Sequence, residues 1–245
     1  MSTCEYLCRH FSRMGARVKI QKPETRQTEK VRINISRDEW GEFFDVRCLD
    51  GVIPEVLDVR PARRHLVLMV RDGKAKNKFL LGHDERHWFA SAVPGAAVRD
   101  VQTAMESLRP TEIGGGHAIR QGEWFFLPAP DVQEPRVIHR NEPLRRGAGS
   151  KPHLCDELMR YNGVTVMVSA GHPQGITEGE YNQLLERDPR ASKLRWDRMT
   201  RDAEVYARGR VRHSDHKTIH LPIWHRVYLN RERFAAHASQ IAFLD

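Results

Sequence analysis

Apolar and polar positions alternate most clearly between Ala203 and Asn230. Val205, Ala207, Gly209, Val211 and His213 share one parity, while Glu204, Tyr206, Arg208, Arg210 and Arg212 share the other. A period of two predicts a strand with one apolar and one cationic face. A second run returns with Ile219, Leu221, Ile223, Val227 and Leu229 on one side and Thr218, His220, Trp224, Arg226 and Tyr228 on the other. Pro222 interrupts it and marks an edge or a bulge. Placing Val211 opposite Ile219 on the buried face turns the chain at Ser214-Asp215-His216. That register sets Arg212 against Thr218, Arg210 against His220 and Tyr206 against Trp224.

Shorter runs of the same kind are Val31 to Ile35, Phe43 to Cys48, Glu55 to Val59, His65 to Arg71 and Lys78 to Leu81. Asp50-Gly51, Arg60-Pro61 and Asp72-Gly73 separate them, as in an antiparallel or mixed sheet, with a longer basic loop, Lys74 to Lys78, after the last turn. Tyr6, Leu7, Phe11 and Met14 have helical spacing. So do Val98, Val101, Met105 and Leu108, in a helix over Ala96 to Leu108 that covers this sheet and stops at Arg109-Pro110. Gly82 to Phe89 reads as a helix start with Asp84 as its N-cap. His83 and His87 there have the spacing of a zinc-protease pair, but they precede any buried helix.

Thr111 to Gly116 holds three consecutive glycines and marks a boundary. Beyond it, Ile119 to Leu127 and Val164 to Ser169 read as strands, and Leu154 to Tyr161 as a short helix closed by Asn162-Gly163. Val132 to Ser150 reads as loop around Arg136 to His139. Thr177 and Glu180 form a capping box ahead of Tyr181, Leu184 and Leu185, with Pro189 as the stop. The expected class is α+β, in two compact units: an N-terminal α+β domain over residues 1–110 and a linker over 111–117. The second domain, over 118–245, is mainly antiparallel β and barrel- or sandwich-like.

The chain has 245 residues, a formal net charge of +8 and 13 histidines. That balance favours a polyanionic partner. Its four cysteines form no C-x-x-C pair and no disulfide framework, which points to a reducing, cytoplasmic setting. Cys4, Cys8 and His10 lack a fourth spaced zinc ligand. No signal-peptide core and no apolar run of membrane-spanning length is visible, so a soluble protein with no membrane association is expected.

The late hairpin carries the chemistry. Its open face interleaves Arg208, Arg210, Arg212 and Arg226 with Tyr206, His220 and Trp224, the pairing that holds phosphates and stacks bases. Arg145, Arg146 and Lys151, in a glycine-rich loop, extend the phosphate-binding set. At the bend, His213, Asp215 and His216 bring two imidazoles and a carboxylate towards one metal ion. An arginine-rich alternating strand is equally the solvated face of a half-buried sheet, and Ser-Asp-His-Lys is equally turn chemistry. His216-Lys217-Thr218 also matches a single His-x-Thr unit of metal-free phosphoesterases, which need two.

Gln121-Gly122-Glu123, Lys151-Pro152-His153, His213-Ser214-Asp215-His216 and Leu221-Pro222 follow one another along the chain. This order resembles a series of motifs in small uncharacterised β-rich proteins of phages and bacteria, Gln-Gly-Asp, Gly-His-x-His, His-x-Glu-His and Leu-Pro. The likeness covers about half of the chain, and Lys151 stands where the first histidine of Gly-His-x-His would be. It implies that His153 approaches the bend and brings no established activity.

With His153, His213 and His216 as ligands, zinc or a similar divalent transition metal is the expected cofactor. Nucleic acid, DNA or RNA, is the expected partner. The expected function is metal-assisted hydrolysis of phosphodiesters, with His213, Asp215 and His216 as the catalytic group. The alternatives are a non-catalytic nucleic-acid-binding module using the Arg and aromatic face, and a protein-interaction factor with a basic surface.

Overall fold

The computed structural model describes residues 2–23, 30–133, 137–145 and 151–232. The fold is α+β, rich in antiparallel strands, and divides into two compact units, Met1–Glu112 together with the stretch that starts at Asn230, and Ile113–Leu229. Among the described residues no helix is long and apolar enough to cross a membrane.

In the first unit, α1 (Thr3–Arg13) begins with a capping box. The Ser2 hydroxyl accepts from the Glu5 N–H, and the Glu5 carboxylate accepts from the Ser2 N–H. β1 (Val18–Gln21), β2 (Val31–Asp38) and β3 (Gly41–Cys48) form a sheet in the order β1-β3-β2. β4 (Ile53–Arg60), β5 (His65–Asp72), β6 (Ala75–Asp84) and β7 (His87–Ala92) form a four-stranded antiparallel meander. β5 shows no polar alternation because both of its faces are covered. Leu66, Leu68 and Val70 pack with Leu7, Phe11 and Phe44. On the other face Val67 packs with Val101, Ala104 and Leu108 of α2 (Val101–Leu108).

Two expectations fail here. Gly82 to Phe89 is the β6–β7 hairpin, with His83 opposite Trp88 and Asp84 opposite His87, so Asp84 caps no helix. Glu85 takes a positive φ of 30° in its turn, and the His83–His87 spacing carries no helical meaning. The basic loop after Asp72-Gly73 is also shorter than expected. Asp72 already pairs with Ala75, which leaves Lys76 and Lys78 inside β6.

The second unit begins at Ile113, the buried last residue of a 3-10 turn, Thr111–Ile113. The expected strand Ile119 to Leu127 is two strands, β8 (Ile119–Gln121) and β9 (Trp124–Pro128), folded back at Gly122 and Glu123. β10 (His139–Leu144) lies where loop was expected. Arg136 and the Arg146 to Ser150 part of the glycine-rich loop are outside the described residues.

The expected helix Leu154 to Tyr161 is β11 (His153–Tyr161). A bulge between Cys155 and Glu157 shifts its parity. His153 and Cys155 are buried before the bulge and Leu158 after it, and this break in the period of two mimics helical spacing. Asn162 and Gly163, both with positive φ, turn the chain into β12 (Val164–Ser169). β12 pairs with β13 (His172–Thr177) and β14 (Asp197–Arg201) in a separate small sheet. α3 (Glu178–Arg187) lies between β13 and β14 and starts with the expected Thr177–Glu180 capping box.

β15 (Glu204–Arg212) and β16 (Ile219–Leu229) form the central hairpin of a six-stranded antiparallel sheet, ordered β10-β11-β15-β16-β9-β8. Trp124, Phe126, Cys155, Leu158, Val205, Ala207, Val211, Leu221 and Val227 share one core on its inner face. β9 and β11 are three strand steps apart, about 14 Å in a flat sheet. Yet a Cβ built on the backbone of Gly122, two residues before Trp124, would sit 3.4 Å from Nε2 of His153 at the start of β11. The sheet is therefore rolled. It is not a closed barrel, since β8 and β10 remain its two edges among the described residues.

Candidate metal centre

Two segments distant in sequence, the start of β11 and the bend after β15, meet at one end of the rolled sheet. Leu154 pairs with Arg212, so the start of β11 lies beside the end of β15 and His153 reaches His213. The 213–218 bend then brings in His216. The ring centroids of His153 and His213 are 4.1 Å apart, those of His213 and His216 4.7 Å, and those of His153 and His216 5.7 Å. One ring nitrogen or other from each histidine lies within 4.8 Å of those of the other two. Zn–N bonds of 2.0–2.1 Å put tetrahedral ligand nitrogens roughly 3.4 Å apart. The trio thus lies within a limit that includes this spacing.

His153 is 1% exposed, and neither of its ring nitrogens has a hydrogen-bond partner; Nδ1 of His216 is likewise unpartnered. Unsatisfied buried polar atoms cost free energy, and a metal ion would satisfy one nitrogen of each ring. Burial first, then the neighbouring His213 and His216, lowers the pKa of His153 to about 3. Burial also lowers that of His213, as does His216, while Asp215, Glu123 and a hydrogen bond to the Lys151 backbone act in the opposite sense. His153 and His213 are thus held neutral at pH 7, the form that ligates metals.

The bend is fixed from several sides. The Asp215 N–H donates to Nδ1 of His213 at 3.2 Å. The Asp215 carboxylate accepts from Lys151 Nζ at 2.7 and 3.0 Å and from the Ser214 hydroxyl at 3.1 Å. Asp215, expected in the catalytic group, is therefore taken up by an ion pair, and Lys151 is its partner. Buried Gln121 donates through Nε2 to the carbonyls of Val211 at 3.2 Å and Lys217 at 2.6 Å, tying the two ends of the bend together. Gly122, with φ +58°, closes the site: a Cβ there would sit 2.8 Å from Nε2 of His216 and 3.4 Å from Nε2 of His153. The Gln121-Gly122-Glu123 string was visible in the sequence, but nothing in it specified that the turn would face the histidines.

No protein-family model, curated protein or solved structure matches this chain. Function is accordingly argued from the site.

The expected Arg and aromatic platform is rearranged. Val211 opposite Ile219 and Arg210 opposite His220 are as expected, but a bulge between Ala207 and Gly209 moves Tyr206 opposite Arg226. Tyr206 and Trp224 are buried, packed with Met159, and present no open stacking face. The arginines are met by carboxylates. Arg208 pairs with Glu157 at 2.6 Å and lies 4.4 Å over the Trp224 ring. Arg210 and Arg212 pair with Asp156 at 3.0 and 3.3 Å, Arg212 also reaches Asn141 at 2.8 Å, and Arg226 pairs with Glu204 at 2.9 Å. Asp156 and Glu157 sit on β11, out of reach of a parity argument confined to one hairpin, while Glu204 sits on β15 itself. His220 and Arg145 are exposed, and Arg146 lies outside the described residues.

Proposed function

We propose that this protein binds one divalent transition metal, zinc or a similar ion, through His153, His213 and His216, and uses it to hydrolyse phosphodiesters, with nucleic acid as the substrate class. The observation that carries this reading is the trio itself: three imidazoles brought together, His153 buried with both nitrogens unpartnered. Imidazole shells suit zinc and its neighbours better than magnesium. Held by these three residues, the metal would act as a Lewis acid towards the phosphate and would activate a water for attack on it. Exposed Arg120, whose Nε donates to the Gly122 carbonyl at 2.8 Å, adds positive charge beside the turn for an anionic substrate. A cytoplasmic location belongs to the same reading and suits the four free cysteines.

The second reading, a non-catalytic nucleic-acid binder, draws on the +8 charge. Buried rings and paired arginines weigh against the hairpin face as its platform.

Elemental analysis of the purified full chain tests the first reading. The wild type should carry about one equivalent of metal, and His153→Ala combined with His213→Ala should carry none. Chelator-sensitive cleavage of single- and double-stranded DNA and RNA tests the second half. A metal-free wild type would remove the metal centre, and undiminished cleavage in chelator would remove the metal from the chemistry.

A further inference from the structure

Attack on a phosphodiester by metal-bound water needs a group to take the water's proton. The three histidines are assigned to the metal. Asp215 is held by Lys151, and Asp156 and Glu157 by the arginines of β15. Glu123 is different. It is half-buried and makes no hydrogen bond or ion pair with any described residue. It directly follows Gly122, the residue whose missing side chain would collide with His216 and approach His153. Its negative charge also reaches His213, whose proton affinity it raises. The β8–β9 turn therefore sets an uncommitted acidic residue next to the glycine that borders the trio.

We propose that Glu123 is the general base of this centre, an inference that rests on the hydrolase reading above. As the water oxygen bonds to phosphorus, the O–H bond breaks and its proton passes to the Glu123 carboxylate. The P–O bond to the leaving oxygen then breaks with its electron pair, and the Glu123 carboxylic acid returns the proton to that oxygen. The products are a phosphomonoester and an alcohol, and no further reactant is needed.

The test is turnover of bis(4-nitrophenyl) phosphate by the zinc-loaded full chain, with zinc content measured on the same samples. Glu123→Gln keeps the shape of the side chain and removes the base. It should hold about one zinc per chain while kcat falls by about 100-fold or more, the range ascribed to a positioned base, with KM changed far less. Glu123→Asp should recover part of the loss. A Glu123→Gln protein with wild-type kcat overturns the proposal, and one that loses its zinc overturns it by making Glu123 a ligand. These failures differ from failure of the underlying reading, in which the wild type itself shows no zinc or no chelator-sensitive turnover and the base role is lost with it.

Discussion

At the scale of single residues, Gly122 and His153 are the most constrained. Gly122→Ala would require a side chain at φ +58° and a Cβ 2.8 Å from Nε2 of His216. The left-handed backbone alone costs roughly 1–2 kcal/mol. Zinc titration followed calorimetrically should show affinity weakened by about tenfold or more, and wild-type affinity would mean that the turn does not border the metal. His153 makes a prediction in pH. Its pKa is about 3 folded against 6.5 ordinarily, so between those values the proton binds the unfolded chain alone. This contribution to the stability of metal-free protein is fully present above pH 6.5 and is lost as pH falls towards 3. The lowered pKa of His213 acts in the same direction. Urea midpoints across that range should fall with pH, and His153→Phe should flatten the slope. His213 and His216 were legible from sequence because both lie within one short bend. The place of Gly122 and Glu123 was not, because their partners lie on strands β11 and β15–β16, and no spacing rule links those segments.

At the scale of elements, the bulges account for most of what the sequence concealed. One in β11 made a strand resemble a helix, and one in β15 displaced Tyr206 from Trp224. The bulge in β11 also has a use: Asp156, at its centre, accepts from the backbone N–H and Nε of Arg210 and from Arg212. Those guanidinium groups lower the Asp156 pKa below the usual carboxylate range. Asp156→Ala should therefore destabilise the second unit, by about 1–2 kcal/mol given the partial exposure of the group. It should also release two arginines, strengthening heparin retention and steepening its salt dependence. If retention is unchanged, the arginines of β15 are not available to polyanions even when freed. The strands legible in the sequence, β2 to β5 and β12, lie between recognisable turns, although β4 and β12 carry register shifts of their own. The Gly82 to Phe89 hairpin does not show in the sequence because an i, i+4 histidine pair and a well-placed Asp imitate a helix start.

At the scale of the whole molecule, fold class followed from the number of short alternating runs and the few helical stripes, whereas the roll of the six-stranded sheet did not. Roll depends on twist and bulges accumulated over strands that are not consecutive. It is this roll that brings the start of β11 to the β8–β9 turn. Metal that binds the folded chain alone should stabilise it, by about 2.7 kcal/mol at a free concentration 100 times Kd. Melting with and without chelator should show the second unit's transition raised, and coincident curves would mean an unoccupied site. The gap between β8 and β10 bears on how that stabilisation is delivered. A wall with an unsewn seam yields where a sealed cylinder would resist, so any adjustment of the three rings to an ion would be absorbed by a slight tightening along its whole curve. Amide exchange in Ile119–Gln121 and His139–Leu144, at the two lips, would then slow when zinc arrives, registering from the rim an event at the mouth.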